Sequence, residues 1–181
     1  VIEGVVNNFE ELIARPADVF KSKYGIDIII NTRAYKIDRF RKQVHTTDLR
    51  SGKETIFDYD SLVVATGARA VLRDLKGVNQ EGVFLIRNYN DGVRINDSTI
   101  TKNAHSCILA GAGLIGLEMV EEFKKRVRGR GGAGMDVTLV EMADHVLPTM
   151  LDKNMAKIVE KELEDNGVRI ILGERVEEIP C

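Results

Sequence analysis

The clearest structural signal in the sequence lies at residues 107–118, which read Cys-Ile-Leu-Ala-Gly-Ala-Gly-Leu-Ile-Gly-Leu-Glu. A short apolar run ends in three glycines spaced G-x-G-x-x-G, and a helical pattern begins at once. Gly111 allows a tight turn out of a strand, Gly113 lets the backbone approach a ligand, and Gly116 lets the helix pack closely. Free N–H groups and the dipole at the start of such a helix favour phosphate. The stretch therefore predicts a strand, a turn and a helix that bind the pyrophosphate of a dinucleotide.

The residues after this turn supply the context that a lone glycine motif lacks. Four residues follow at the spacing of one helix face: Gly116, Val120, Phe123 and Val127. A second strand pattern, Asp136–Glu141, ends in an acid, where the fingerprint needs a carboxylate for the ribose hydroxyls. The distance from Gly116 to Glu141 is longer than the usual value of about 20 residues, and the excess lies in the glycine-rich residues 128–134, which predict a loop insertion. The alternative, a glycine turn without a ligand, is disfavoured because all these features appear in order.

The chain after this unit continues the same alternation. Asp152–Asp165 has an apolar helix face and a stop at Gly167, and Val168–Leu172 predicts a third strand. From Cys107 onward the pattern is βαβαβ, which is typical of one mononucleotide-binding half of a doubly wound α/β sheet.

The first hundred residues predict a different arrangement. Two short helices are expected over residues 8–14 and from Pro16 to the stop at Gly25. Strands are expected for three apolar runs, the first two of them buried: Ile26–Ile30, Ser61–Ala65 and Val83–Ile86. A small antiparallel sheet is expected from three further segments: 32–37, 43–49 and 54–59. The last two are expected to form a hairpin, because Arg50–Lys53 between them carries a glycine in the turn. A helix is predicted for Asn88–Ile100.

Composition limits the possible functions. The 181 residues carry 26 Lys and Arg against 28 Asp and Glu, which offers no case for nucleic acid. No apolar run reaches the length of a membrane span. The two cysteines form no C-x-x-C pair, so neither a redox dithiol nor a metal site is predicted, and a cytoplasmic protein is the expectation. The isolated His45 and His105 are interpreted as structural.

Several separated motifs resemble those of the FAD-dependent pyridine nucleotide–disulfide oxidoreductases. They occupy residues 59–68, 82–84, 111–119 and 137–141. Within that family, the chain is most similar to the branch of CoA-disulfide reductases, NADH oxidases and NADH peroxidases. The opening stretch, Gly4–Ile28, is similar to the segment that follows the redox-active cysteine of that branch.

The resemblance implies an internal fragment with two partial domains. Residues 1–102 are expected to be a partial FAD-binding domain that lacks its first βαβ unit, and residues 103–181 an NAD(P)-binding domain that lacks its C-terminal end. Neither Cys107 nor Cys181 matches the catalytic position, so no catalytic residue is assigned and the redox cysteine is expected upstream. The fragment itself is expected to be inactive.

The resemblance also implies the residues that meet each cofactor. Four residues are expected beside FAD: Ala34, Ala65, Thr66 and Gly67. Six are expected to bind NAD(P)H: Gly111, Gly113, Leu114, Ile115, Gly116 and Glu141. Glu141 favours NADH because a carboxylate repels the 2′-phosphate of NADPH, although the nearby His145 leaves NADPH possible. Glu118 matches a glutamate on the nicotinamide and flavin side; alternatively, it sits in the first helical turn and only interacts with the helix dipole.

The implied function is an oxidoreductase in which hydride passes from NADH or NADPH through FAD to a cysteine-based centre. That centre would reduce a disulfide such as CoA disulfide, or a persulfide. The alternatives are an NADH oxidase or peroxidase that reduces oxygen or peroxide, and a nucleotide-binding module without catalysis. The full-length protein is expected to be a homodimer with no nucleic acid, membrane or metal partner.

Overall fold

The computed structural model describes residues 12–13, 15–70, 75–128 and 135–180. The helix predicted over residues 8–14 falls mostly outside these residues, as does most of the predicted glycine-rich insertion. Along the described chain the helices and strands are α1 (Ala17–Tyr24), β1 (Thr32–Asp38), β2 (Gln43–Asp48), β3 (Glu54–Asp58), α2 (Tyr89–Thr101), β4 (Ser106–Ala110), α3 (Leu114–Arg128), β5 (Asp136–Glu141), α4 (Lys153–Asp165) and β6 (Val168–Leu172).

A parallel three-stranded sheet forms the second half of the chain. The strand order is β4-β5-β6, with Leu109 opposite Leu139 and Leu139 opposite Ile170. Helix α3 connects the first two strands and α4 connects the last two. The predicted βαβαβ unit is therefore confirmed, and each pair of neighbouring strands is joined through a helix, as parallel pairing requires.

The core of this sheet lies where α3 packs on β5. Val120, Phe123 and Leu139 are buried, with Leu139 fully inaccessible. Burial of each such side chain contributes about 1.5–3 kcal/mol relative to exposure. Gly116 allows the close approach of helix to strand, because a Cβ added there would lie 2.0 Å from the carbonyl oxygen of Gly111.

Local sequence fixes the ends of the helices. Asn88 caps α2 by accepting a hydrogen bond from the N–H of Asp91, whose own carboxylate accepts from the N–H of Asn88. Asp152 caps α4 through two backbone N–H groups. Gly25, with φ +66°, ends α1 as predicted. Such capping bonds satisfy N–H groups that have no partner inside a helix.

An antiparallel sheet of order β1-β2-β3 forms the other half. Between β2 and β3 the Asp48 carboxylate accepts from the N–H groups of Arg50 and Ser51, and Gly52 follows with φ +72°. This turn confirms the predicted hairpin. The pairing of β1 with β2 shifts register between Ala34 and Lys36.

Three predicted strands are absent from the described chain. Ile26–Ile30, Ser61–Ala65 and Val83–Ile86 are all irregular. The first two runs were expected to be buried, yet Ile30 is 68% and Val63 85% exposed. An apolar run becomes a strand only when another strand hydrogen-bonds to it, and none of the three has such a partner among the described residues.

Contacts divide the chain into two compact units, and the break falls between Ala68 and Arg69. Helix α2 belongs to the unit of the parallel sheet, since its Ile95 is part of that core. The sequence-based boundary between the FAD-binding and NAD(P)-binding domains, at residues 102 and 103, was defined by the cofactor that each domain binds. It stays a prediction. In the part of the chain that the structure describes, no helix has both the length and the apolar character needed to span a membrane.

Candidate dinucleotide-binding site

The glycine turn between β4 and α3 is held in place by backbone hydrogen bonds. The N–H of Gly111 donates to the carbonyl oxygen of Val140 at 2.8 Å. Gly111 has φ +109°, a conformation that strains any residue with a side chain. The next residue, Ala112, is fully buried, and its carbonyl accepts from the N–H of Leu147 at 2.9 Å. The turn is therefore fixed by β5 on one side and by the loop after β5 on the other.

The start of α3 leaves a row of backbone donors free. The N–H groups of Gly113, Leu114, Ile115 and Gly116 make no hydrogen bond to any described residue. The side chains of Leu114 and Ile115 are 53% and 56% exposed, so neither covers the end of the helix. Four successive N–H groups at a helix N-terminus form a site for a phosphate-sized anion. A Cβ added at Gly113 would meet nothing within 4 Å, so a ligand can reach this backbone.

Glu141 places its carboxylate against this turn from the end of β5. Its Oε2 accepts from the N–H of Ala112 at 2.7 Å, and its Oε1 accepts from the N–H of Ala143 at 2.9 Å. The residue is only 8% exposed. Each carboxylate oxygen has two lone pairs, so each retains an acceptor position for the hydroxyl of a sugar. The arrangement of acid and glycine turn is the one a dinucleotide requires.

The loop after β5 carries residues that the sequence did not single out. Leu147, which donates to the turn, has φ +50°. The N–H of Val146 donates to Glu160 of α4 at 3.1 Å. Glu160 lies one turn after the buried Ala156, on the inner face of the helix. A carboxylate at an inward position of an amphipathic helix is the signal that would have identified it.

The same loop is held together by hydrogen bonds of His145 and by an ion pair of Asp144. His145 Nδ1 lies 2.6 Å from Asp144 Oδ1, and its Nε2 lies 3.2 Å from the carbonyl oxygen of Leu151. Lys153 forms an ion pair with the other oxygen of Asp144. The hydrogen bond from Lys153 lowers the pKa of Asp144 to about 2, and the hydrogen bond with Asp144 raises the pKa of His145. Both ring nitrogens of His145 thus bind protein atoms, which leaves neither one for a 2′-phosphate.

The position of Glu118 in α3 differs from the predicted one. It is the fifth residue of α3 and lies in the second turn, not in the first. The helix dipole acts mainly within the first turn, so dipole stabilisation alone gives a weaker reason for a glutamate here. Its side chain is exposed.

The residues expected beside FAD lie in the unit of the antiparallel sheet. Ala34 is in β1 at the register shift, while Ala65, Thr66 and Gly67 form an exposed irregular segment. Gly67 has φ +69°, and a Cβ there would meet nothing within 4 Å. Exposed backbone with a glycine in this conformation suits close contact with a flat ligand.

Neither cysteine offers a reactive centre in the described chain. Burial raises the pKa of the Cys107 thiol to about 11, so it is protonated at neutral pH. Cys181 lies outside the described residues. The described residues also bring no three His, Cys, Asp or Glu side chains together in an arrangement that could hold a metal ion.

Comparison with known proteins identifies close relatives along the whole chain. The NADH oxidase of Methanocaldococcus jannaschii is 36% identical over 99% of this chain. The CoA-dependent NAD(P)H sulfur oxidoreductase of Pyrococcus furiosus is 30% identical over 92%. The solved structure of an NAD-dependent persulfide reductase from A. fulgidus is 36% identical over 99% of this chain, with a TM-score of 0.88. The chain spans only 38%, 35% and 32% of the lengths of these three proteins.

A family model settles the assignment. The model for pyridine nucleotide–disulphide oxidoreductases matches residues 1–180. The relatives above are oxidoreductases of the resembled branch, and the resemblance seen in the sequence is confirmed. The chain therefore belongs to the pyridine nucleotide–disulphide oxidoreductases, a family of enzymes that use FAD and NAD(P)H.

Proposed function

We propose that the parallel-sheet unit binds NADH at the glycine turn. The single observation that carries this proposal is the row of free N–H groups from Gly113 to Gly116 beside the carboxylate of Glu141. The N–H groups donate to the pyrophosphate, and the carboxylate accepts from the ribose of the adenosine half. NADH is preferred over NADPH because Glu141 repels a 2′-phosphate and His145 has no free nitrogen with which to bind one.

The antiparallel unit contributes part of the FAD site in this proposal. The backbone at Ala65, Thr66 and Gly67, with Ala34, lies against the flavin cofactor. When bound, the two cofactors supply the redox chemistry, since a reduced nicotinamide gives a hydride and a flavin accepts it. The residues of this chain bind and orient the cofactors. Glu118, exposed on α3, is proposed to face the nicotinamide and flavin side.

The proposed reaction is the reduction of a disulfide such as CoA disulfide, or of a persulfide, by NADH. Electrons pass through FAD to a cysteine-based centre outside this chain. The persulfide reductase and the CoA-dependent sulfur oxidoreductase among the relatives support this acceptor class. The second candidate is an NADH oxidase or peroxidase, which the 36% identical NADH oxidase favours.

One experiment separates these candidates. Full-length protein is purified, its flavin spectrum is recorded, and NADH oxidation is followed with CoA disulfide, a persulfide, peroxide or oxygen as the only acceptor. Turnover that depends on the disulfide or persulfide supports the first proposal, while turnover with oxygen or peroxide alone supports the second. Absence of a flavin spectrum would remove both.

Assembly and location follow from the same proposal. A homodimer is proposed for the full-length protein because the resemblance to that branch implies one. A cytoplasmic location is proposed because the chain carries only two cysteines and no cysteine pair.

A further inference from the structure

His145 stands between two atoms that can only accept hydrogen bonds. Nδ1 faces a carboxylate oxygen of Asp144, and Nε2 faces the backbone carbonyl of Leu151. A neutral imidazole has one N–H, so it can satisfy one of these partners while its other nitrogen turns a lone pair toward an acceptor. Only the imidazolium donates to both. The side chain is 16% exposed, which limits the water that could replace a missing bond.

These two bonds tie together the loop that lies against the glycine turn. Asp144 and Leu151 belong to the segment between β5 and α4, and Leu151 directly precedes the N-cap of α4. The same segment donates from Leu147 to the carbonyl of Ala112 and from Ala143 to the carboxylate of Glu141. The imidazolium thus closes a loop whose backbone fixes both parts of the proposed NADH site.

The charges around His145 favour its protonated form. Asp144, on the loop itself, is ionised and bonds directly to the ring. Burial of the ring opposes this by disfavouring the charged form, and so does the positive charge of Lys153 from α4, which is itself paired with Asp144. Glu160, also from α4, accepts from the adjacent N–H of Val146 and does not contribute to the shift of the His145 pKa. The hydrogen bond with Asp144 is the largest of these effects, so the pKa of His145 is raised.

We propose that His145 is a positioning residue that, as an imidazolium, holds the loop after β5 against the glycine turn, so that NADH binding weakens as this ring loses its proton. The proposal rests on the proposed NADH site and adds its dependence on pH. The pKa of His145 in the folded protein is raised above 6.5. The stabilisation of the loop by the imidazolium is therefore fully present below pH 6.5 and is lost as pH rises through the folded pKa.

The test measures protonation and binding separately. NMR of the imidazole ¹⁵N and ¹H resonances follows the three histidines of the 181-residue chain with pH, and His45→Gln and His105→Gln assign the other two. NADH affinity is measured by titration over the same range. The dissociation constant is expected to rise about three- to tenfold between about pH 6 and pH 9, the effect of one lost hydrogen bond. His145→Gln should bind NADH at every pH with the weaker affinity that the wild type shows at high pH.

A second variant keeps the test valid if His145→Gln does not fold. Asp144 is 59% exposed, and Asp144→Asn should shift the titration of His145 and the affinity profile together to lower pH. His105→Gln, altered at an exposed site before β4, should leave the profile of the wild type unchanged.

Two results would overturn the positioning role. One is a His145 that is neutral at pH 6.5, and the other is an unchanged pH profile in His145→Gln or Asp144→Asn while NADH still binds. Absence of NADH binding at every pH would instead reject the proposed site itself, and the NMR titration would still report the protonation of His145.

Discussion

Replacing Gly113 with alanine should weaken NADH binding without destabilising the folded protein. A Cβ at Gly113 meets no atom within 4 Å, and the residue has no positive φ, so the folded protein accepts the new methyl group. Gly→Ala at such a position stabilises a protein by about 0.4–1 kcal/mol, because the unfolded chain loses conformational freedom. The unfolding temperature of Gly113→Ala is therefore expected to equal or slightly exceed that of the wild type.

The same methyl group would occupy the space through which a pyrophosphate reaches the N–H groups of α3. Loss of one charge-assisted hydrogen bond costs about 1.5–3 kcal/mol, which corresponds to an affinity for NADH that is about 10- to 150-fold weaker. The assay is fluorescence titration with NADH, paired with a thermal melt of the same sample.

Gly116→Ala is the matched variant for this experiment. Its Cβ would lie 2.0 Å from the carbonyl oxygen of Gly111, so the helix and the turn must move apart. This variant should lose both stability and NADH binding. NADH affinity in Gly113→Ala equal to that of the wild type would show that the open face of the turn is not the phosphate site.

Three further predictions concern Glu141, Cys107 and Asp144. Glu141→Ala should reduce the preference for NADH over NADPH, measured as the ratio of the two dissociation constants, because it removes the carboxylate that repels a 2′-phosphate; an unchanged ratio would contradict the assigned role. The Cys107 thiol, with a pKa of about 11, should react with iodoacetamide at pH 8 much more slowly than a free cysteine, and a rate equal to that of free cysteine would contradict its burial. Asp144, whose pKa is lowered to about 2, should stabilise the protein above pH about 4 and lose this effect as pH falls through about 2. The unfolding temperatures of wild type and Asp144→Asn should therefore converge in acid, and a difference that stays undiminished from about pH 5 to below about pH 2 would contradict the ion pair.

The sequence predicted the parallel unit well because its signals are local. The glycine spacing, the apolar face of α3 and the acid at residue 141 each specify a conformation within a few neighbouring residues. The hairpin between β2 and β3 and the helices that begin beside Asn88 and Asp152 were predicted for the same reason.

Prediction from the sequence failed where a conformation depends on contacts with residues far away in the chain. Ile26–Ile30 and Ser61–Ala65 have the composition of buried strands, but composition does not supply the neighbouring strand that their backbone needs. The bond from Ala112 to Glu141 and the contacts of His145 also join residues that are set side by side only by the packing of β5, its loop and α4. No periodicity in the chain encodes them.

The most direct test of the central claim is an NMR titration of ¹⁵N-labelled protein with NADH. We expect the backbone N–H resonances of four residues to shift with one common binding curve: Gly113, Leu114, Ile115 and Gly116. Glu141→Ala should weaken the affinity that this curve reports. NADH binding that leaves these four resonances unchanged would contradict the claim that the start of α3 holds the pyrophosphate.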